Sequence, residues 1–420
     1  MTESIQKKLL KIRPPRVKIT YDVETGGHIE RKELPFIIAV LADLSGLRDP
    51  SAEALPLKSR PMIALDRDNF EAVMAQLETN AMLQIKVLDA TKQELLNDLE
   101  KAVEFDQSAI FKQLYESTYG TYGGLPFSLI VGDYEVGPSA TDTAFLSHMA
   151  AIAAAAQAPF IVSASAELFG MNSFSDIGKP RDLSKIFEGT DLIGFHEFRQ
   201  TEDSRYVALT LPRVKVQDPA SPDSIGFSAA FVLAARIGQA FSTYAWPVMF
   251  GGFEDDGLAP EVEITVHRAQ ELGQLGFIPL CARTGTTQTA FIGTHSAQLP
   301  NKYLADDANA NAQISALLPY MLAASRFAHY LKVIMRDKIG TFLTRGNVES
   351  YLNTWISQYV LLDDNASEEA KAAYPLRAAS IVVTEVAGLP GTYQATIFIK
   401  PHFQLEYLTT SIRLVASLPS

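Results

Sequence analysis

The amino-acid sequence predicts an α/β protein whose two chain ends are strand-bearing arms. Three observations carry that reading. The middle of the chain alternates strand-length apolar runs with helical stretches, the order that lays parallel strands beneath helices. Residues 34–41 are a continuous apolar run, as strands buried on both faces are, and residues 160–164 read as a further short buried strand. Near each end the pattern switches to period two: Val17, Ile19, Tyr21 and Val23 at the start, and Leu408, Thr410, Ile412 and Leu414 at the finish.

Each element follows in order. Pro14-Pro15 breaks any opening helix, residues 17–23 form a strand, and Thr25-Gly26-Gly27-His28 turns into a second one around 30–34. Residues 34–41 are a buried strand. Asp66 or Asp68 caps a helix through Phe70, Val73 and Leu77. After a strand at 82–88, Asp89 or Thr91 starts a helix, with Glu94 placed for a capping box on Thr91. A helix near 107–115 precedes the Gly-rich stretch 119–124. Strand 127–132, Ala-rich helix 141–158 and strand 160–164 come next, then strand 206–211, helix 228–244 and strand 262–265. Residues 308–342 read as one long helix kinked at Pro319, followed by a helix at 348–359. Strands at 380–386, 392–400 and 408–416 close the chain.

Composition narrows the function classes. The chain has 420 residues, 47% of them hydrophobic, a net charge of −12 and one Cys. That length fits two or three domains, or one elaborated α/β unit. A single Cys excludes a disulfide framework and a Cys-rich zinc site, and suits a reducing compartment. No apolar run reaches the roughly 18 residues of a membrane span, and no signal-peptide core is read near the N-terminus, so the expected location is cytoplasmic. The charge is unevenly spread. Residues 1–18 hold six cations against Glu3, and residues 326–345 hold five against Asp337, which leaves the remainder at −21. That remainder disfavours nucleic acid and leaves a membrane surface or an acidic protein surface as partners for the basic segments, beside the plain reading of two solvated faces.

Catalytic motifs are mostly absent: there is no phosphate loop, no nucleophile elbow and no paired His on a helix. Cys281, next to an apolar run, reads as a buried structural thiol. Glu254, Asp255 and His267 are the best set for a metal-dependent enzyme, although a solvated acidic turn is the plainer reading. No cofactor is called for, and the balance favours assembly or binding over enzymology. On a helix, Tyr320, Ala324, Phe327, Leu331 and Ile334 make an apolar stripe, while Arg326, His329, Lys332 and Arg336 fall on the opposite side. One face would then be buried and the other would present cations.

Two sets of motifs carry a resemblance. Arg13-Pro14-Pro15-Arg16-Val17-Lys18-Ile19-Thr20-Tyr21-Asp22-Val23 and Lys32-Glu33-Leu34-Pro35-Phe36 resemble the start of the small sheath subunit of type VI secretion systems. From Ile85 onward the chain resembles the large sheath subunit. The marks include Glu104-Phe105-Asp106-Gln107-Ser108, Gly120-Thr121-Tyr122-Gly123-Gly124, Gly132-Asp133-Tyr134-Glu135, Leu211-Pro212-Arg213, Ser325-Arg326-Phe327-Ala328-His329-Tyr330 and Pro401-His402-Phe403. The chain therefore reads as a shortened single-chain fusion, with residues 1–80 similar to the small subunit and 81–420 to the large one, the large-subunit match itself running over 83–420. The resemblance implies a contractile-sheath, phage-tail-sheath-like α/β body. It implies a bacterial structural subunit that polymerises with itself into a helical tube around an inner-tube protein, joins a baseplate and contracts. The arm residues Val17, Ile19, Tyr21, Val23, Ile412 and Leu414 are expected to complete sheets in neighbouring subunits. Arg326, Lys332, Arg336 and Lys338 are expected to face the inner tube or, alternatively, acidic groups of a neighbouring subunit. The region recognised by a recycling AAA+ unfoldase has no counterpart here, so that partner is not carried over. The alternative reading is a non-polymerising adaptor or cap on a baseplate.

Overall fold

In the computed structural model, described over residues 19–417 apart from 26–27, 44–55, 61, 66–82, 103–104, 122, 180–181, 188, 218–223, 248–249, 251–253, 256, 284–285, 287, 305, 338–344, 364–365, 368–369, 371–372, 386–392 and 403–411, the unalternating apolar runs become one sheet. It has nine strands in the order Glu254–Asp255, Gln288–Phe291, Phe277–Ala282, Val207–Leu211, Phe160–Ala164, Phe127–Val136, Phe36–Ala42, Leu83–Asp89 and Ile63–Leu65. Every neighbouring pair from Phe277–Ala282 across to Leu83–Asp89 is parallel, and the flanking strands are antiparallel. The fold is thus α/β, as the sequence predicts.

The strand Phe36–Ala42 lies in the interior of this sheet, with Ile38 opposite Ile85 on one side and Leu129 on the other. Its residues divide between two cores. Ile37, Ala39 and Leu41 pack with Leu95, Phe145, Met149 and Phe195 from helices on one face. Phe36 and Ile38 pack with Leu233, Ile237 and Phe241 of the helix Ala229–Tyr244 on the other. Burial on both faces is why this run carries no polar alternation.

Local signals set several helix ends as read. Thr91 and Glu94 form the expected capping box on the helix Lys92–Lys101. Ser228 caps Ala229–Tyr244. The helix Ala140–Ala156 ends where Gln157 takes a left-handed conformation, φ 56°, which leaves its last carbonyls to find partners elsewhere.

Three expectations differ. Residues 262–265 form no strand: Thr265 caps the helix Val266–Gln274, and the alternation reflects Val262 and Ile264 turning towards the core. Residues near 107–115 wind as Ala109–Tyr119, with a π-helical stretch at Lys112–Glu116 inside. The single long helix is two, Asp306–Ser315 and Leu318–Asp337. Between them the chain pairs with residues 294–296, Leu318 N–H donating to Thr294 O and Ser296 N–H to Ala316 O. Pro319 then sits in the first turn of the second helix, where its missing N–H costs no hydrogen bond. The helix expected at 66–77 lies outside the described residues.

Candidate assembly site

A third core forms around the helix Leu318–Asp337, which is buried along its whole length from Leu318 to Arg336. The helix Arg345–Ser357 supplies Val348, Leu352, Trp355 and Ile356 to it, and the C-terminal sheet supplies Ile381, Val383, Ile397 and Ile399. The N-terminal segment docks on the same core. Ile19 and Tyr21 are buried in it, and Tyr21 meets Tyr330 edge-on at 6.0 Å. Thr20 is held on both sides of its backbone: its N–H donates to Tyr359 Oη at 3.0 Å, and its carbonyl accepts from Trp355 Nε1 at 3.0 Å. Leu34 N–H donates to Tyr330 Oη at 2.8 Å.

These contacts redistribute the expected arm residues. Ile19 and Tyr21 are core residues of their own chain, drawn in by the aromatic cluster of Tyr330, Trp355 and Tyr359, rather than side chains of a free arm. Val23 lies in the strand Tyr21–Thr25, opposite Glu30 of the antiparallel strand His28–Lys32. Val17 lies outside the described residues.

The C-terminal strands Leu376–Glu385, Tyr393–Pro401 and Ile412–Ser417 form an antiparallel meander in that order. Ile412 lies opposite Ile399 and Leu414 opposite Ile397. The two edges of this sheet differ. Along Leu376–Glu385, helix side chains occupy the outward backbone groups. Asn353 binds Ile381 N–H at 3.0 Å and Ile381 O at 2.7 Å, while Glu349 accepts from Val383 N–H at 2.9 Å. Arg345 donates to Val383 O at 3.3 Å. That edge is blocked to another strand. Ile412–Ser417 is paired on one side only among the described residues, so a strand added to this sheet would be added there.

The basic side chains of Leu318–Asp337 overturn the expected surface face. Arg326, Lys332 and Arg336 are 3%, 3% and 7% exposed, and each is spent on backbone carbonyls of its own chain. Arg326 donates to Leu34 O and, at 3.0 Å, to Pro35 O, with its guanidinium 5.1 Å from the Phe241 and Tyr330 ring centres. His329 Nε2 lies 3.2 Å from Ala156 O, and Lys332 Nζ donates to Ala155 O at 2.5 Å between the rings of Tyr115 and Tyr119. Arg336 donates to Thr118 O at 2.8 Å and Gly124 O at 2.6 Å, and pairs with Asp337 at 2.8 Å. The four cationic positions span about 120° of one helix face. His329, Lys332 and Arg336 meet carbonyls at the C-terminal ends of other helical segments, Ala156, Ala155 and Thr118, whose negative partial charge attracts cations, whereas Arg326 meets the non-helical Leu34 and Pro35 ahead of a strand. Arg326, Lys332 and Arg336 are therefore not available to an inner tube or a neighbouring subunit; Lys338 lies outside the described residues.

Burial governs the titration of this row. It pulls the Lys332 ammonium down to about 7, and it pulls His329 to about 3, with the charges of Arg326 and Lys332 adding to the effect. Arg326 is lowered by the same burial. A sequence signal for this existed: Leu318, Leu322 and Val333 fall among the cations on the helical wheel, and no carboxylate occurs between Leu318 and Arg336. A solvated face would carry acidic and basic groups without those apolar residues.

The Gly-rich stretch belongs to the same network. Gly123 has φ +77°, and a Cβ on Gly124 would lie 2.3 Å from Thr118 O, a carbonyl that Arg336 also binds. Gly124→Ala is expected to displace the 118–124 loop and both Arg336 contacts. It should lower the melting temperature by several degrees, measured by thermal unfolding; an unchanged value would show that the loop yields without cost.

The enzyme alternative gains no geometry. Glu254, in its strand, lies 3.8 Å from Arg236, His267 is exposed on the helix Val266–Gln274, and no group of three or more His, Cys, Asp or Glu able to hold a metal occurs among the described residues. Cys281 is buried, as read, and burial pushes its thiol up to about 12. Among the described residues, no helix is long and apolar enough to cross a membrane.

Comparison with known proteins agrees with both halves of the sequence resemblance. Residues 68–228 match the family model of the EvpB/VC_A0108 tail sheath N-terminal domain, and residues 307–418 that of the EvpB/VC_A0108 tail sheath gpW/gp25-like domain. Residues 9–112 match the family described as type VI secretion system, VipA, VC_A0107 or Hcp2, so the small- and large-subunit models overlap across 68–112. The type VI secretion system sheath protein TssC1 of Pseudomonas aeruginosa is 41% identical over 386 residues, covering 82% of this chain and 78% of TssC1. The sheath protein TssB1 of the same organism is 34% identical over 84 residues, 20% of this chain and 48% of TssB1, so the match spans about half of that relative. A solved contracted helical sheath of the anti-feeding prophage superposes with a TM-score of 0.47 at 12% identity, covering 94% of this chain and 97% of that one. With a large-subunit match over most of its length and a small-subunit match at its start, the chain belongs to the type VI secretion system sheath protein family.

Proposed function

We propose that this chain is a single-chain structural subunit of a contractile sheath, which polymerises in the bacterial cytoplasm into a helical tube around an inner tube, seats on a baseplate and contracts. The observation that carries the reading is a large-subunit relative at 41% identity joined in one polypeptide to a small-subunit match. The reading is supported by the strand Phe36–Ala42, which only the small-subunit model matches: it pairs on one side with Phe127–Val136, which only the large-subunit model matches, and on the other with Leu83–Asp89, which both match. Polymerisation proceeds by strand addition at Ile412–Ser417, which is paired on one side only among the described residues, with residues before Ile19 as the donated segment. Contacts of this kind join two different surfaces and build open helices rather than closed rings. Contraction draws on a metastable extended state and needs no bound nucleotide.

Electron microscopy of the purified protein should show tubes. Removing residues 411–420 or 1–18 should abolish them while the body remains folded. Tubes unchanged in both truncations would refute strand addition. A particle that stays small at high concentration would favour the adaptor reading, which the half-length match to TssB1 keeps in play.

A further inference from the structure

At the edge of the main sheet, a cavity of about 550 Å³ opens beside the strand Leu83–Asp89, and its charged lining among the described residues is basic: Lys58, Arg60 and Lys86. Arg60 is committed inside the chain. It binds Glu94 through both terminal nitrogens, at 2.9 and 2.5 Å, and donates to Asp89 O at 2.8 Å. Lys58 and Lys86 have no carboxylate partner among the described residues, and Lys86 has only the Phe127 ring, 5.4 Å from Nζ. The cavity is held in shape from behind. Gln113 Nε2 donates to Leu57 O at 3.1 Å and Arg60 O at 2.9 Å, which ties the Leu57–Ser59 turn to the helical stretch Ala109–Tyr119. Thr118 and Gly124, also in its wall, are fixed through their carbonyls by Arg336.

The geometry points to this cavity as the socket for carboxylate side chains of a second copy of the chain, a contact that rests on the polymerising role proposed above. Two observations select that occupant. The chain carries −12 overall, so an all-basic socket on it is complementary to most of its own surface. The adjacent exposed carboxylates Glu202 and Asp203 have no ion pair among the described residues, and they lie in the turn that enters Val207–Leu211, four strands from Leu83–Asp89. At about 4.8 Å per strand, socket and acidic pair are about 20 Å apart across the sheet. They are different patches on one molecule, so joining them is heterologous and propagates from copy to copy.

Sedimentation at about 0.15 M salt separates polymer from subunit. Wild-type protein should pellet; if it does not, the polymerising role itself fails. Lys58→Glu with Lys86→Glu should cut pelletable polymer at least tenfold without lowering the melting temperature, and the milder Lys58→Gln with Lys86→Gln should cut it less. Adding Glu202→Lys and Asp203→Lys to the Glu pair should restore polymer by swapping the charges. Full polymer from the folded Glu variant, or a loss that the swap does not restore, overturns the proposal. So does saturable binding of inorganic phosphate at the socket with no effect on polymer, which would make it a small-anion site.

Discussion

Arg326→Met is expected to destabilise the protein by about 2–5 kcal/mol. Two effects oppose each other. Methionine fills most of the same volume and removes a cation whose burial outweighs the support it draws from the Glu33 charge, which by itself is favourable. It also strips the carbonyls of Leu34 and Pro35 of the donor that reaches them in the interior, and removes the guanidinium from between Phe241 and Tyr330. Each unsatisfied buried carbonyl costs about 1–3 kcal/mol, and two of them outweigh the relief of desolvation. The damage should also be local. Leu34 and Pro35 lead directly into Phe36–Ala42, so amide hydrogen exchange of that strand should accelerate before exchange in Phe160–Ala164 does. Tyr330→Phe leaves both carbonyl contacts in place and removes only the hydroxyl, so its effect should be smaller. Equal stability of Arg326→Met and wild type would mean that the carbonyls find other donors.

How much of this was legible in the sequence depends on which physical signal a residue carries. Parallel strands announce themselves, because burial on both faces leaves continuous apolar runs such as Phe36–Ala42. Caps are equally local: Thr91 and Glu94 need only three residues' separation to be recognised. The cations of Leu318–Asp337 carry no such local mark of their partners. Arg326 meets Leu34 and Pro35, and Lys332 meets Ala155, across sequence gaps that no helical wheel encodes. A charge on a helix therefore reads as solvated when its counterpart is a backbone carbonyl, which has no residue identity to detect. The same applies to the two edges of the C-terminal sheet. Alternation identifies Leu376–Glu385 and Ile412–Ser417 equally well as strands, yet only the contacts of Glu349 and Asn353 distinguish the blocked edge from the other.

The same row gives the protein an acid limb that one substitution should remove. His329 titrates near 3 in the folded chain and at about 6.5 once unfolded. Between those values the unfolded chain binds a proton that the folded chain does not, so stability falls as pH drops from about 6.5 towards 3. At about 1.4 kcal/mol per pH unit, the full window is worth a few kcal/mol. Lys332 does not confuse that limb. Its folded value of about 7 lies below its ordinary 10.5, so its contribution rises with pH only between those two values, and below 7 it is charged in both states. Tyr115 and Tyr119, whose hydroxyls burial raises, act only above about pH 10. His329→Gln keeps an N–H donor for Ala156 O and cannot titrate. Its melting temperature should therefore fall less than that of wild type between pH 6.5 and 4, by roughly 3–5 °C. Carboxylates elsewhere contribute to both curves and cancel in the difference. Parallel curves would show that His329 is protonated in the folded chain, and that the carbonyls of Ala155 and Ala156 stabilise its charge as well as that of Lys332.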